Sequence, residues 1–167
     1  MKTLYTDASF SPQGNSRNGE NIVRGKIAVV GEGVEKVDKV AIGRVEGLQQ
    51  YNNVLELTAI ARAIELATDV KNGVKCDHPE MCNHWACHPH ESLAIFTDSK
   101  TAMYWASAGK IKSKGIETLA HTNALDYLRK MRLAFGGVIT FNFTRRELNS
   151  AGKLLEGELE KERSYAI

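Results

Sequence analysis

The hydrophobic and polar positions of the chain change period several times. Leu4 to Ser9, inside MKTLYTDASF, alternate and carry threonine, leucine and tyrosine, which predicts a first β-strand. The segment SPQGNSRNGEN is rich in glycine, serine and asparagine and reads as a loop. Gly25 to Gly33, with IAVV inside it, reads as a second strand, and Lys36 to Val45 alternates as a third. GEG between them fits a hairpin turn. From Asn53 to Val70 the period becomes helical: Leu55, Ala59, Ala63, Leu66 and Val70 recur among strong helix formers, with Asn52 or Asn53 as the N-cap. Lys71 to Glu91 is a polar insertion. Leu93 to Thr97 is a short apolar strand, followed by helices over Ser99 to Ala108 and Ile116 to Phe135, the second ended by Gly136 and Gly137. Val138 to Thr144 alternates as a fifth strand, and Ser150 to Arg163 is a charged amphipathic helix.

The order βββ-α-β-α-α-β-α implies an α/β fold with a mixed sheet and helices packed on it. A length of 167 residues, 43% of them hydrophobic and 25% charged, suits one globular domain over 1–167 with residues 71–91 inserted. A formal net charge of +2 neither demands nor excludes nucleic acid. No apolar run approaches the roughly 20 residues of a membrane-spanning helix. The start of the sequence lacks a basic region followed by an apolar core, so the expectation is a chain without a secretory signal, located in the cytoplasm. Three cysteines, all between Cys76 and Cys87, do not suggest a disulfide framework.

Three acids stand in related settings. Asp7 lies within the first strand, Glu56 in the first turn of the first helix, and Asp98 directly after the fourth strand. Each has an ordinary explanation: Asp98 can cap the following helix, and Glu56 can favour the helix dipole. An aspartate inside a strand is harder to explain, because burying a bare carboxylate is costly. If the first and fourth strands are neighbours, the three acids meet. Their repulsion then calls for a hard divalent cation such as magnesium. Two such ions can activate a water and stabilise the leaving oxygen of a phosphodiester.

The stretches YTDAS, NNVLELTAIARAI and IFTDSK, in this order, resemble the ribonuclease H family. The resemblance covers nearly the whole chain except the insertion. It implies a ribonuclease H-like fold, with a five-stranded mixed sheet and helices on both faces. It also implies hydrolysis of the RNA strand of RNA–DNA hybrids with two magnesium or manganese ions, leaving a 5′-phosphate and a 3′-hydroxyl. Asp7, Glu56 and Asp98 match the family's metal-binding acids; Asn52, Asn53 and Ser99 match positions near its substrate groove. The family usually has a fourth acid in its last helix, within asparagine-x-x-alanine-aspartate or a close variant. In ELNSAGKLLEGELE, Asn149 and Ala151 match the variant that is one residue shorter, and Gly152 then stands where the aspartate is expected. Glu156 lies one turn later on the same helix face and is the candidate substitute, ahead of Glu147 and Glu158. The loop TRREL, Thr144 to Leu148, is short and lacks the histidine many relatives carry; Arg145 or Arg146 is a candidate phosphate contact instead.

Two further groups carry candidate chemistry. Lys110, Lys112 and Lys114 follow Tyr104 and Trp105, a mixture of cations and aromatics that suits a phosphate backbone and an exposed sugar or base. The ordinary reading is a solvated turn with the aromatics in the core. Recognition of a 2′-hydroxyl would fall to backbone groups at Ala8, Ser9 and Phe10 and to the Asn52 and Asn53 side chains. The insertion CDHPEMCNHWACHPH holds every cysteine and four of the five histidines. Cys76, Cys82 and Cys87 with His90, or else His84, form a candidate structural zinc site. A redox-active thiol set and an unstructured histidine-rich loop are the alternatives. For the whole chain, the rivals to a hybrid-cleaving nuclease are a non-catalytic nucleic-acid-binding module on the same fold and a nuclease for another duplex.

Overall fold

The structure, a computed structural model, describes residues 2–10, 22–31, 33–45, 48–73, 92–112 and 118–165. Its strands are β1 (Lys2–Phe10), β2 (Ile22–Gly31), β3 (Val34–Gly43), β4 (Leu93–Thr97) and β5 (Ile139–Phe143). Its helices are α1 (Leu48–Gly73), α2 (Lys100–Ala108), α3 (Leu119–Phe135) and α4 (Ser150–Tyr165), with a 3-10 turn over Arg146–Leu148. The expected loop at SPQGNSRNGEN, Lys114, and residues 74–91 of the insertion lie outside the described residues.

The sheet has the order β3-β2-β1-β4-β5. β1–β2 and β2–β3 pair antiparallel, while β1–β4 and β4–β5 pair parallel. This is the mixed sheet expected from the element order. Gly31 makes the β2–β3 turn possible, with φ 142°; a Cβ there would meet Thr3 O at 2.4 Å.

Alternation along β1 divides the molecule into two layers. Leu4 joins Val29, Leu57, Ile60, Ile95 and Leu128 in the main core, under α1, α2 and α3. Tyr5, with Ala28 and Val30 across the β1–β2 pair, faces α4, where Ala151 and Leu155 are buried. Helices therefore lie on both faces. Each fully buried leucine contributes roughly 1.5–3 kcal/mol to holding these layers together.

The first helix departs from the sequence reading. α1 begins at Leu48, so Asn52 and Asn53 stand in its second turn rather than at its N-cap, and Glu56 stands a turn beyond them. Leu48, Gln49 and Gln50 are good helix formers. Tyr51 adds a tertiary reason: it is buried, and its ring stacks on Phe10 with centroids 4.5 Å apart. The added turn is thus tied to β1. α3 opens at Leu119 behind Thr118, whose backbone N–H donates to His121 Nδ1 at 3.1 Å in a reciprocal cap.

Candidate metal centre

β1 outruns β4. Their pairing ends at Thr6↔Thr97, so Asp7 keeps a strand partner only on the β2 side, at Ala28. The chain leaves β4 at this point and delivers Asp98 beside it. Ser99 then takes the capping duty: its Oγ accepts from Ala102 N–H at 3.1 Å, and its own N–H donates to Thr97 Oγ1 at 3.1 Å. Asp98 is therefore spared from capping α2. α1 crosses the sheet and brings in Glu56. One carboxylate oxygen each from Asp7, Glu56 and Asp98 lies within 4.8 Å of the others.

Burial and mutual charge dominate the electrostatics. Burial, and next the charge of Asp98, push Asp7 from its ordinary 3.8 up to about 6, against the lowering effects of Glu56, the Ala8 N–H and Arg146. Glu56 is 7% exposed. Burial, then the charges of Asp7 and Asp98, hold its carboxyl well above the usual range, and its hydrogen bond with Asp7 adds to this. Glu56 Oε2 is buried with no hydrogen-bond partner among the described residues. An orphaned buried oxygen within an all-carboxylate donor set fits a hard divalent cation, magnesium or manganese.

Two grooves flank the carboxylates and share Ala8 and Arg146. The first, of about 600 Å³, runs along Gln49, Asn52, Asn53 and Glu56 of α1 to Asp98, Ser99, Lys100 and Phe143. The four α1 residues recur at helical spacing on one face. Asn53 is buried, and its Oδ1 accepts from Gln49 Nε2 at 3.3 Å. Lys100 Nζ stands 5.0 Å from the Phe143 ring centroid. The second groove, of about 480 Å³, contains Asp7, Ser9, Glu147, Gly152, Lys153 and Glu156. Gly152 closes on the cluster: a Cβ at this position would stand 3.0 Å from Asp7 Oδ2.

The other sequence candidates fall as follows. Glu156 is exposed and lines the second groove, outside the three-carboxylate set. Glu158 instead pairs with Lys161 at 3.7 Å. Arg145 and Arg146 are both exposed, and only Arg146 lines the grooves. Lys110 and Lys112 are exposed beyond α2 and line neither groove. Trp105 is 2% exposed, with its ring edge-on to His121, so it belongs to the core; Tyr104 is 59% exposed. Cys76, Cys82, Cys87, His84 and His90 lie outside the described residues. Gln49, Lys100 and Phe143 were not anticipated. Gln49 lies four residues before Asn53 and seven before Glu56, a signal hidden by placing the helix start too late.

No protein-family model matches the chain, and no curated protein does. Among solved structures it is similar to ribonuclease H1 from the halophilic archaeon Halobacterium salinarum NRC-1, with 16% identity and a TM-score of 0.57 over 96% of this chain and 98% of that one. It is also similar to LC11 ribonuclease H1 solved in complex with an RNA/DNA hybrid: 14% identity, TM-score 0.56, coverage of 95% and 99%. The N-terminal ribonuclease H domain of a Mycobacterium tuberculosis protein, solved as a fusion with maltose-binding protein, matches at 17% identity and TM-score 0.54, with both chains fully covered at 100%. The fold is ribonuclease H-like, as the quoted motifs implied.

Proposed function

We propose that the protein is a metal-dependent endonuclease that hydrolyses the RNA strand of RNA–DNA hybrids. The observation that carries this reading is the convergence of Asp7, Glu56 and Asp98 from three elements, with Glu56 Oε2 buried and unpartnered. Bound at these carboxylates, two hard divalent cations would activate a water and neutralise charge at the scissile phosphate. The chain's own groups do the rest. Arg146 and Lys100 attract the phosphate backbone to the grooves. Asn52 and the backbone at Ala8 and Ser9 face the sugar edge and read the 2′-hydroxyl. Phe143 offers a face to a base or sugar.

The test offers a labelled hybrid, duplex DNA and duplex RNA to purified protein in magnesium. Cleavage of the RNA strand in the hybrid, with 5′-phosphate and 3′-hydroxyl ends and loss of activity in Asp7→Asn, is expected. Preference for another duplex would redirect the substrate assignment. Gly152 favours a second reading, a non-catalytic binding module, since no fourth acid stands against Asp7 at that position. Binding of hybrid without cleavage in either magnesium or manganese would select it. From sequence alone, Cys76, Cys82 and Cys87 with His90 or His84 are proposed to hold one structural zinc ion. Metal analysis should find one equivalent; zinc-free protein with freely reactive thiols would reject this assignment.

A further inference from the structure

Asn149 is fully buried, and every polar atom of its side chain is engaged. Nδ2 donates to Thr6 O at 2.9 Å and to Asp98 Oδ2 at 3.2 Å, while Oδ1 accepts from Ala151 N–H at 3.1 Å. With extended backbone at φ −87° and ψ 103°, the residue is the N-cap of α4. Its one amide thus joins the β1 carbonyl just before Asp7, the Asp98 carboxylate, and the helical turn that sets Gly152 against Asp7. Capping alone would not select this residue, since serine, threonine or aspartate supplies the acceptor oxygen as well. Only an amide combines that acceptor with two N–H donors in a fixed plane.

We propose that Asn149 is a positioning residue of the metal centre. By donating to Asp98 Oδ2 it holds the carboxylate in one orientation and leaves the other oxygen to a cation. By capping α4 from the same side chain, it makes that orientation conditional on the helix being docked. This rests on the metal-dependent reading above. Residues that orient metal ligands from behind typically set metal affinity by 10–100-fold.

The test measures Mn²⁺ affinity by titration calorimetry without nucleic acid, beside the melting temperature in EDTA. Asn149→Ala removes donor and cap together, and should lower both. Asn149→Ser restores a capping oxygen but is too short to reach Asp98. It should recover part of the melting temperature, while Mn²⁺ binding stays about 10-fold or more weaker than wild type. Leu128→Ala, in the α3 core away from the cluster, serves as the comparison. It should lower the melting temperature at least as far, with Mn²⁺ affinity within about twofold of wild type. Wild-type affinity in Asn149→Ser would overturn the inference, as would an equal loss of affinity in Leu128→Ala. Wild-type protein that binds no Mn²⁺ would overturn the proposed function, and this inference with it.

Discussion

A buried acid that shares its surroundings with two others makes the metal-free protein sensitive to pH in a fixed direction. Asp7 takes up its proton near pH 6 when folded, against an ordinary value of 3.8. Across that window the folded state binds more protons than the unfolded one, so stability falls as pH rises. The contribution of Asp7 is fully present below about pH 4 and is lost as pH rises through about 6. Asp7→Asn should therefore stabilise the metal-free protein at pH 7 by about 1–3 kcal/mol and flatten the pH dependence of its melting temperature in EDTA. The same variant should lose the stabilisation by manganese shown by wild type at pH 7. Glu56→Gln resembles the protonated side chain that burial favours. By the same linkage it should also stabilise the metal-free protein at pH 7, while abolishing the manganese response. Thermal melts across pH, with and without manganese, check both.

At the level of elements, the strands were legible from two signals, alternation along β1 and an unbroken apolar run along β4. Leu93–Thr97 is bounded as the sequence predicts, since an apolar run set between polar neighbours leaves little freedom. The start of α1 was not legible. Asparagine is a good cap in isolation, but the Tyr51 contact with Phe10 outweighs that preference, and Phe10 lies far away in sequence. The capping of α2 was half legible: Asp98 and Ser99 both qualify, and only the structure separates the cap from the cluster. Ser99→Ala should cost about 1 kcal/mol, seen in melts, with little change in Mn²⁺ affinity. Gly152 could be noticed as a missing acid, but its approach to Asp7 needed the docking of α4. Gly152→Ala gains up to about 1 kcal/mol of helix propensity, opposed by the 3.0 Å contact with Asp7 Oδ2. Its melting temperature should stay close to wild type while Mn²⁺ affinity falls, because the carboxylate must move.

For the whole molecule, a net charge of +2 conceals a local arrangement in which carboxylates sit between the cations of two grooves. Composition could not reveal this, because opposite charges cancel in the sum while remaining apart in space. Arg146→Ala and Lys100→Ala should each weaken hybrid binding and reduce the slope of log affinity against log salt by about one. Lys110→Ala, outside both grooves, should leave the slope closer to wild type. Binding measured at several salt concentrations, in EDTA to separate affinity from cleavage, decides this.

The junction where β1 outruns β4 has a consequence for how the molecule is made. Thr6 Oγ1 donates to Phe96 O, a contact between residues 90 apart in the chain, and Asn149 Nδ2 reaches Thr6 O from 143 residues away. Closing such long loops comes at an entropic cost before any contact rewards it, which favours slow, all-or-none assembly. During synthesis, the chain must have emerged past Asn149 before this side chain can hold Asp98 in place. A nascent or truncated chain ending ahead of Asn149 would carry all three carboxylates yet grip manganese more weakly.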